Sequence, residues 1–156
     1  MKKSNAMRIL DAHHILYDVH TYTVDHIFDA HEVANKIGIQ SNRIYKTLVT
    51  QGKSKQYYVF ILPVEKELDL KKAAKVTNEK SIEMIALKQL TSITGYVRGG
   101  CSPLGMKKVF KTFCDQSALM MNTIIVSGGK LGLQIELKAN DLLEVLPIFF
   151  ENITSE

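Results

Sequence analysis

Apolar residues along this chain come in short stretches whose spacing alternates between the helical and the strand period. In SNAMRILDAHH, Ser4 is a candidate N-cap and apolar residues three positions apart fall on one side, which predicts an amphipathic helix. The next segment, ILYDVHTY, is rich in β-branched and aromatic residues and predicts a strand. In DAHEVANKIG, Asp29 followed by Glu32 forms a capping-box pattern, and the final glycine predicts where a second helix stops.

The strongest strand pattern is a hairpin between residues 45 and 63. Two apolar runs flank the polar, glycine-containing turn QGKSK, and Pro63 ends the second run. Just before the hairpin, Ser41 is a candidate cap for a short turn in SNRIY.

The rest of the chain continues this mixture of helices and strands. Asp69 caps a predicted helix in DLKKAAKVTN, and ALKQLTSITG predicts another that ends near Gly95. Strands are predicted in KKVFKTF, NTIIVSGG and LQIEL, followed by a helix in ANDLLEVLP. Because a hairpin is antiparallel, this order favours an α+β fold over a strictly parallel, doubly wound sheet. We expect a curled mixed sheet with helices around it.

Length and composition indicate one globular domain spanning residues 1–156. Hydrophobic residues make up 46% of the chain, and no apolar run approaches the roughly 20 residues of a membrane span. The N-terminal segment lacks a continuous apolar region, so no secretory signal is expected. Two cysteines are too few to stabilise a chain of this size by disulfide bonds. We therefore expect a reduced, cytoplasmic protein, whose net charge of +4 permits an anionic partner without requiring one.

The stretch GYVRGGCSPLGMKK, residues 95–108, concentrates glycines and cations and raises the question of a phosphate site. A P-loop requires G-x-x-x-x-G-K-[ST], but in SGGKLG a leucine follows the lysine and no glycine lies five positions before Gly129. The dinucleotide pattern G-x-G-x-x-G between a strand and a helix is also absent from the sequence. Glycines at tight turns between strands remain the alternative for both segments.

Residue chemistry alone favours modest roles for the reactive side chains. Cys101 is a candidate nucleophile beside a glycine-rich turn, but the sequence pairs no histidine with it, and a small apolar residue tucked beside a turn is favoured. Lys46 either extends to the surface or points into a cleft as an anion ligand. Five histidines lie in the first 31 residues, but no pair has the i, i+4 spacing of a helical zinc site, so no metal site is predicted.

Five motifs, taken in order, change this interpretation: HTYTVDH, YKTLV, LDLKKAAK, TGYVRGGCSPLGMKK and VSGGKLGLQIEL. Together they resemble the YbaK/EbsC family of aminoacyl-tRNA deacylases, which includes the editing domain inserted in bacterial prolyl-tRNA synthetases. The resemblance extends from about residue 4 to about residue 147, and GGCSPLG with an upstream YKTL is a specific combination. It implies a barrel-like mixed sheet surrounded by helices, with no metal and no cofactor.

The resemblance also implies roles for individual residues. Lys46 matches the essential lysine of the YKT motif, and the glycine loop would line the site with main-chain groups that can stabilise an oxyanion. The residues implied to bind the substrate are Tyr22, Gly99, Gly100, Ser102, Ser127 and Gln134, with Pro103 also matching the loop. Gln134 stands where some members carry an aspartate, so an acid at that position is not part of the predicted mechanism. Cys101 stands where relatives carry an aliphatic residue, which makes it a spectator.

The reaction that the resemblance implies is removal of cysteine from mischarged proline tRNA. In that reaction the substrate's own thiol attacks its ester carbonyl and releases a cyclic thioester, so no enzyme nucleophile is needed. The alternatives are a deacylase for alanine or another small amino acid, and a non-catalytic module that docks on tRNA or prolyl-tRNA synthetase; Lys46 in its motif favours an enzyme. Arg98, Lys107 and Lys108 beside the glycine loop predict a positive rim for the tRNA acceptor stem, with tRNA and prolyl-tRNA synthetase as expected partners.

Overall fold

The computed structural model describes residues 2–26 and 30–155 and places short helices around two β-sheets. The α-helices are α1 (Asn5–Ala12), α2 (Ala30–Ile37), α3 (Leu70–Thr77) and α4 (Leu90–Thr94), and 3₁₀ helices span Ser41–Arg43, Leu87–Gln89, Gln116–Met120 and Ala139–Glu144. The strands are β1 (Asp18–Thr21), β2 (Tyr45–Gly52), β3 (Tyr57–Pro63), β4 (Ile82–Met84), β5 (Thr112–Asp115), β6 (Ile124–Ser127), β7 (Leu133–Leu137) and β8 (Ile148–Glu151). None of the described helices is long and apolar enough to cross a membrane.

Two of the predicted helix caps are confirmed. The Ser4 side chain accepts a hydrogen bond from the backbone N–H three residues later, and Asp69 accepts from two N–H groups in the first turn of α3. The prediction for Ser41 is wrong, because Ser41 is the first residue of a 3₁₀ helix whose N-cap position is Gln40, without a side-chain hydrogen bond. Asp29, the predicted cap of α2, lies outside the described residues.

The predicted hairpin is confirmed as β2 and β3, which pair antiparallel from Tyr45 opposite Pro63 to Gln51 opposite Tyr57. β5 pairs with β3 in parallel and β8 pairs with β5 in parallel, which gives a five-stranded mixed sheet in the order β4-β2-β3-β5-β8. A second, antiparallel sheet has the order β1-β7-β6. One mixed and one antiparallel sheet, with helices around them, confirm the predicted α+β class.

β2 links the two sheets through its outer edge. The C-terminal half of that edge pairs with β4, whereas Ile44, directly before β2, forms an isolated parallel bridge with Ile125 in β6. The sequence analysis predicts a single curled sheet, whereas the structure has two sheets that meet at this bridge. The barrel-like closure stays a prediction. The bridge brings β6 beside the start of β2.

Local structure departs from the sequence prediction at several elements. The strand predicted over residues 107–113 begins only at Thr112, where parallel pairing with Val59 starts, and the apolar Val109 before it is exposed. The helix predicted in residues 139–147 is a 3₁₀ helix that ends at Glu144. The helix predicted to end near Gly95 is confirmed, although its first turn is a 3₁₀ helix. β4 and β8 have no counterpart among the predicted strands.

The faces of the three-stranded sheet divide the core from the candidate site. Val126 and Ile135 are fully buried in the largest apolar cluster, which also includes residues of α1. Because side chains alternate along a strand, Ser127 and Gln134 lie on the opposite face. On that face Ile125 packs against residues of α2, so α2 covers part of the surface that carries these polar side chains.

Candidate active site

A row of polar side chains crosses the three-stranded sheet on the face opposite the main core. Ser127 in β6 pairs with Gln134 in β7, and Gln134 pairs with His20 in β1. Residues directly opposite each other in an antiparallel pair lie on the same face. His20, Gln134 and Ser127 therefore point to one side of the sheet.

Lys46 joins this row through the bridge between the two sheets. Ile44 and Ile125 are parallel partners, and Lys46 and Ser127 each lie two residues further along the same strands. Since side chains two positions apart share a face, the register sets Lys46 beside Ser127. Lys46 is half-buried, and no ion pair engages it among the described residues. We refer to Lys46, Ser127, Gln134 and His20 as the polar row.

The glycine loop rests on the turn between β6 and β7. Gly99 has a φ of +81°, and the N–H of Gly100 donates to the carbonyl of Val97 at 3.0 Å, which closes a tight turn. A Cβ atom at Gly100 would lie 2.9 Å from the Cα atom of Lys130. The two loops thus approach at main-chain distance, as glycine permits. The N–H of Gly100 is already used within the turn, whereas the N–H of Gly99 has no acceptor among the described residues.

Tyr22 is held at the other end of the same turn. Its backbone N–H donates to the carbonyl of Gly132 at 3.0 Å, and its ring packs with the apolar cluster that contains Ile44 and Ile125. Tyr22 therefore borders the polar row at the junction of the two sheets. The structure brings together Lys46, Tyr22, Gly99, Gly100, Ser127 and Gln134 around the β6–β7 turn.

Ser102 and Cys101 lie deeper in the loop than the residues around the β6–β7 turn. Ser102 is fully buried, and its Oγ accepts a hydrogen bond from the N–H of Leu104 at 3.2 Å, so the hydroxyl stabilises the loop; its binding role stays a prediction. Burial raises the pKa of the Cys101 thiol to about 11. A thiol with that pKa is protonated at neutral pH, which fits a spectator.

The predicted tRNA-binding cations are all exposed. Arg98 lies in the tight turn of the glycine loop, while Lys107 donates from its Nζ to the carbonyl of Ser92 at 3.4 Å. Lys108 follows directly and borders a surface cleft. Lys130, exposed in the turn against which Gly100 packs, adds a cation that the sequence analysis does not single out.

A charged cluster continues from the polar row and has no counterpart in the sequence analysis. Glu136 accepts hydrogen bonds from Thr123 Oγ1 at 2.5 Å and Arg43 Nη2 at 2.6 Å, and its Oε1 lies 2.8 Å from Nε2 of His20. The bond from Thr123, followed by those from His20 and Arg43, lowers the pKa of Glu136 to about 2. The sequence does contain a signal for Glu136: it lies two residues after Gln134 in a predicted strand, so both side chains are on one face of that strand.

Known proteins resemble this chain in sequence and in fold. Residues 24–145 match the model of a family described as an aminoacyl-tRNA editing domain. A protein of Enterococcus faecalis named "Putative Cys-tRNA(Pro)/Cys-tRNA(Cys) deacylase EbsC" is 44% identical over 157 residues, which covers 99% of this chain and 95% of that protein.

Similarity also extends to a synthetase and to a solved structure. A proline–tRNA ligase of Thermosipho melanesiensis is 28% identical over 99 residues, which span 64% of this chain and 17% of the ligase. A crystal structure described as "a putative trans-editing enzyme for prolyl tRNA synthetase" superposes with a TM-score of 0.84 at 20% identity and covers the whole of both chains. At that identity the superposition supports the fold.

Proposed function

The chain belongs to the aminoacyl-tRNA editing family, and from this premise we propose that it is a trans-editing deacylase that removes cysteine from mischarged proline tRNA. The name of the Enterococcus faecalis relative supports this choice of amino acid and tRNA. The polar row supports the placement of the aminoacyl end against β6 and β7.

The observation that carries the proposal is the state of Gln134. The residue is only 7% exposed, yet its amide forms no hydrogen bond with the described residues. The amide atoms are not sealed from solvent, because Thr47 Oγ1 is the one polar side-chain atom of the described residues that is buried without a partner. A hydrogen bond to a ligand can therefore replace one to water. An amide that lies between Ser127 and His20 without a partner is therefore suited to receive a polar ligand, here the aminoacyl group.

Lys46 supplies the charge that this substrate requires. An aminoacyl ester on the terminal ribose lies next to a phosphate, and its carbonyl oxygen becomes negative when the ester is attacked. The ammonium of Lys46 has no carboxylate partner among the described residues, so it is available to either anion. In the glycine loop the uncommitted N–H of Gly99 is the main-chain donor that we assign to the oxyanion.

The nucleophile in this proposal is the thiol of the substrate. A free thiol has a pKa near 8.5, so some thiolate is present at neutral pH. When the thiol is held against the carbonyl, effective molarities of roughly 10⁵ M or more are accessible. The raised pKa of Cys101 supports this assignment, because a protonated enzyme thiol is a poor competitor for the carbonyl.

Deacylation of a panel of proline tRNAs charged with cysteine, alanine or serine tests the proposal. We expect cysteinyl-tRNA to be hydrolysed and seryl-tRNA, equal in shape but a weaker nucleophile, to be nearly inert. Preferential hydrolysis of alanyl-tRNA would show that the amino acid removed is alanine instead of cysteine. If none of the three is hydrolysed faster than in buffer, the chain is a docking module. The partner to test is then prolyl-tRNA synthetase, because the chain is similar to part of a proline–tRNA ligase.

A further inference from the structure

We propose that His20 and Glu136 are the proton-accepting pair of this site, an inference that rests on the proposed deacylase function. In this view His20 removes the proton of the attacking group. Glu136 is a positioning residue that holds the imidazole ring. His20 lies in the motif HTYTVDH and Glu136 in VSGGKLGLQIEL, but neither is among the site residues that the resemblance implies.

The hydrogen bond between the two residues fixes which ring nitrogen can act. Nε2 of His20 lies 2.8 Å from Oε1 of Glu136. An ionised carboxylate only accepts hydrogen bonds, so Nε2 carries the hydrogen and the lone pair of the neutral ring is on Nδ1. Nδ1 makes no hydrogen bond with the residues that the structure describes. The side chain is 23% exposed, so this nitrogen is free to accept a proton in a partly desolvated setting.

The register of the sheet places this base at the end of the polar row. His20 is directly opposite Gln134, and Ser127 follows on the next strand. Neighbouring strands are about 5 Å apart, so His20 lies roughly 5 Å from the backbone of Gln134 and roughly 10 Å from that of Ser127. An aminoacyl group that accepts a hydrogen bond from Gln134 therefore comes within reach of the imidazole.

Glu136 is itself fixed by two further partners, as an orienting carboxylate must be. Arg43 Nη2 donates to its Oε2 at 2.6 Å, and Thr123 Oγ1 donates to the same oxygen at 2.5 Å. Oε1 is left for His20. This division of the two oxygens parallels the third group of a catalytic triad, which orients a histidine and stabilises its protonated form.

The proposed step balances without any further reactant. As the cysteinyl sulfur attacks the ester carbonyl carbon, its proton passes to Nδ1 of His20 and a C–S bond forms. The C–O bond to the terminal ribose then breaks, and the imidazolium returns the proton to the departing ribose oxygen. The products are a cyclic thioester and tRNA with a free hydroxyl, and water opens the thioester to cysteine.

The pair predicts a defined acid limb in the pH profile, because a protonated imidazole cannot accept a proton. The ionisable groups on the face around His20 are Glu136 on β7, Asp18 and Tyr22 on and after β1, and Arg43 and Lys46 before and on β2. Of these, Glu136 is in contact with the ring, with its Oε1 2.8 Å from Nε2 of His20.

Single-turnover deacylation of cysteinyl-tRNA across pH 5–9 tests the pair in four variants. His20→Gln keeps an N–H donor for Glu136 but removes the base, and we expect its rate to fall on the order of 10²–10⁴-fold with loss of the acid limb. Glu136→Gln removes the carboxylate that orients the ring, so it should slow the reaction and change its pH profile. Exposed His13→Gln is the matched control, and Lys46→Ala reports on the proposed function independently.

The outcomes separate the two proposals. Restoration of His20→Gln activity by added imidazole supports the pair even if that variant loses stability. If His20→Gln has the rate and pH profile of the wild type while Lys46→Ala is inactive, the deacylase proposal stands and the pair is only structural. If the wild type itself does not hydrolyse cysteinyl-tRNA, the proposed function is overturned and this inference with it.

Discussion

A Cβ atom added to Gly100 would lie 2.9 Å from the Cα atom of Lys130, so the glycine loop and the β6–β7 turn touch through their main chains. The main chain at Gly100 and at Lys130 cannot move aside for a Cβ atom as a flexible side chain could. The contact fixes the position of the loop relative to Ser127, the residue at which the turn begins. It thereby fixes the spacing between these two segments of the candidate site.

Gly100→Ala should therefore reduce deacylation while the fold persists. A displacement of about 1 Å between catalytic groups can cost up to about 100-fold in rate, and we expect a loss approaching that in kcat/KM. Gly38→Ala is the control: at a φ of +73° it strains the backbone by roughly 1–2 kcal/mol, but nothing lies within 4 Å of the added carbon. Equal activity in the two variants would show that the loop contact is irrelevant.

Lys46→Ala should abolish deacylation in a folded protein. Loss of one contact that stabilises the transition state costs on the order of 10²–10³ in rate. Lys53→Ala, an exposed lysine in the hairpin turn, removes the same charge away from the polar row and should retain activity. The measurement is deacylation rate beside a thermal unfolding curve; unchanged turnover in folded Lys46→Ala would contradict the site assignment.

Cys101→Ala should keep most of the deacylase activity. The thiol is half-buried and its pKa is raised to about 11, so almost none is ionised at neutral pH. We expect a rate within a few-fold of the wild type, and no burst of covalent intermediate in rapid-quench experiments. An inactive Cys101→Ala protein with a normal unfolding temperature would point to an enzyme nucleophile.

Part of this structure was accessible from the sequence because its causes are local. The cap at Asp69 and the hairpin around QGKSK depend on residues a few positions apart, and both are confirmed. The start of β5 at Thr112 could not be predicted from the sequence, because it depends on which residues of β3 and β8 pair with β5 in parallel. The apolar Val109 matches a strand pattern but is exposed.

The site shows the same division between local and distant causes. Motifs identify Lys46 and Ser127, but their proximity depends on a bridge between distant strands. The pairing of His20 with Glu136 is set by the register of β1 on β7, which no local pattern encodes. The commitment of the Gly100 N–H to the turn depends on backbone geometry, which the motif GGCSPLG does not reveal.

The free energy of unfolding should depend on pH through Glu136. Its pKa is about 2 in the folded protein against an ordinary value of 4.5, so the unfolded chain binds the proton more tightly. The stabilisation is full above about pH 5 and is lost as the pH falls through 2. The unfolding temperature of Glu136→Gln should be below that of the wild type at pH 7, and the gap should close toward pH 2. A gap that stays constant, or an equal effect in exposed Glu144→Gln, would contradict this.

Binding of tRNA should weaken steeply with salt. Each phosphate neutralised contributes a log–log slope of about −0.7 to −0.9, and Arg98, Lys108 and Lys130 are exposed beside the glycine loop. Arg98→Ala should lower affinity and make the slope shallower by about one contact, whereas Lys53→Ala should do neither. Affinity that is flat between low and physiological salt would refute the positive rim.

The pairing of β1 with β7 also determines when the site can exist. His20 and Glu136 are 116 positions apart, and loops of that length close slowly because many conformations must be given up first. During synthesis, β1 leaves the ribosome long before its only ladder partner among the described strands. The β2–β3 hairpin can form early because its strands are close in sequence, but the polar row assembles only after the chain has grown past β7. The site therefore forms late in folding, and a chain whose synthesis stops before residue 137 should have no deacylase activity.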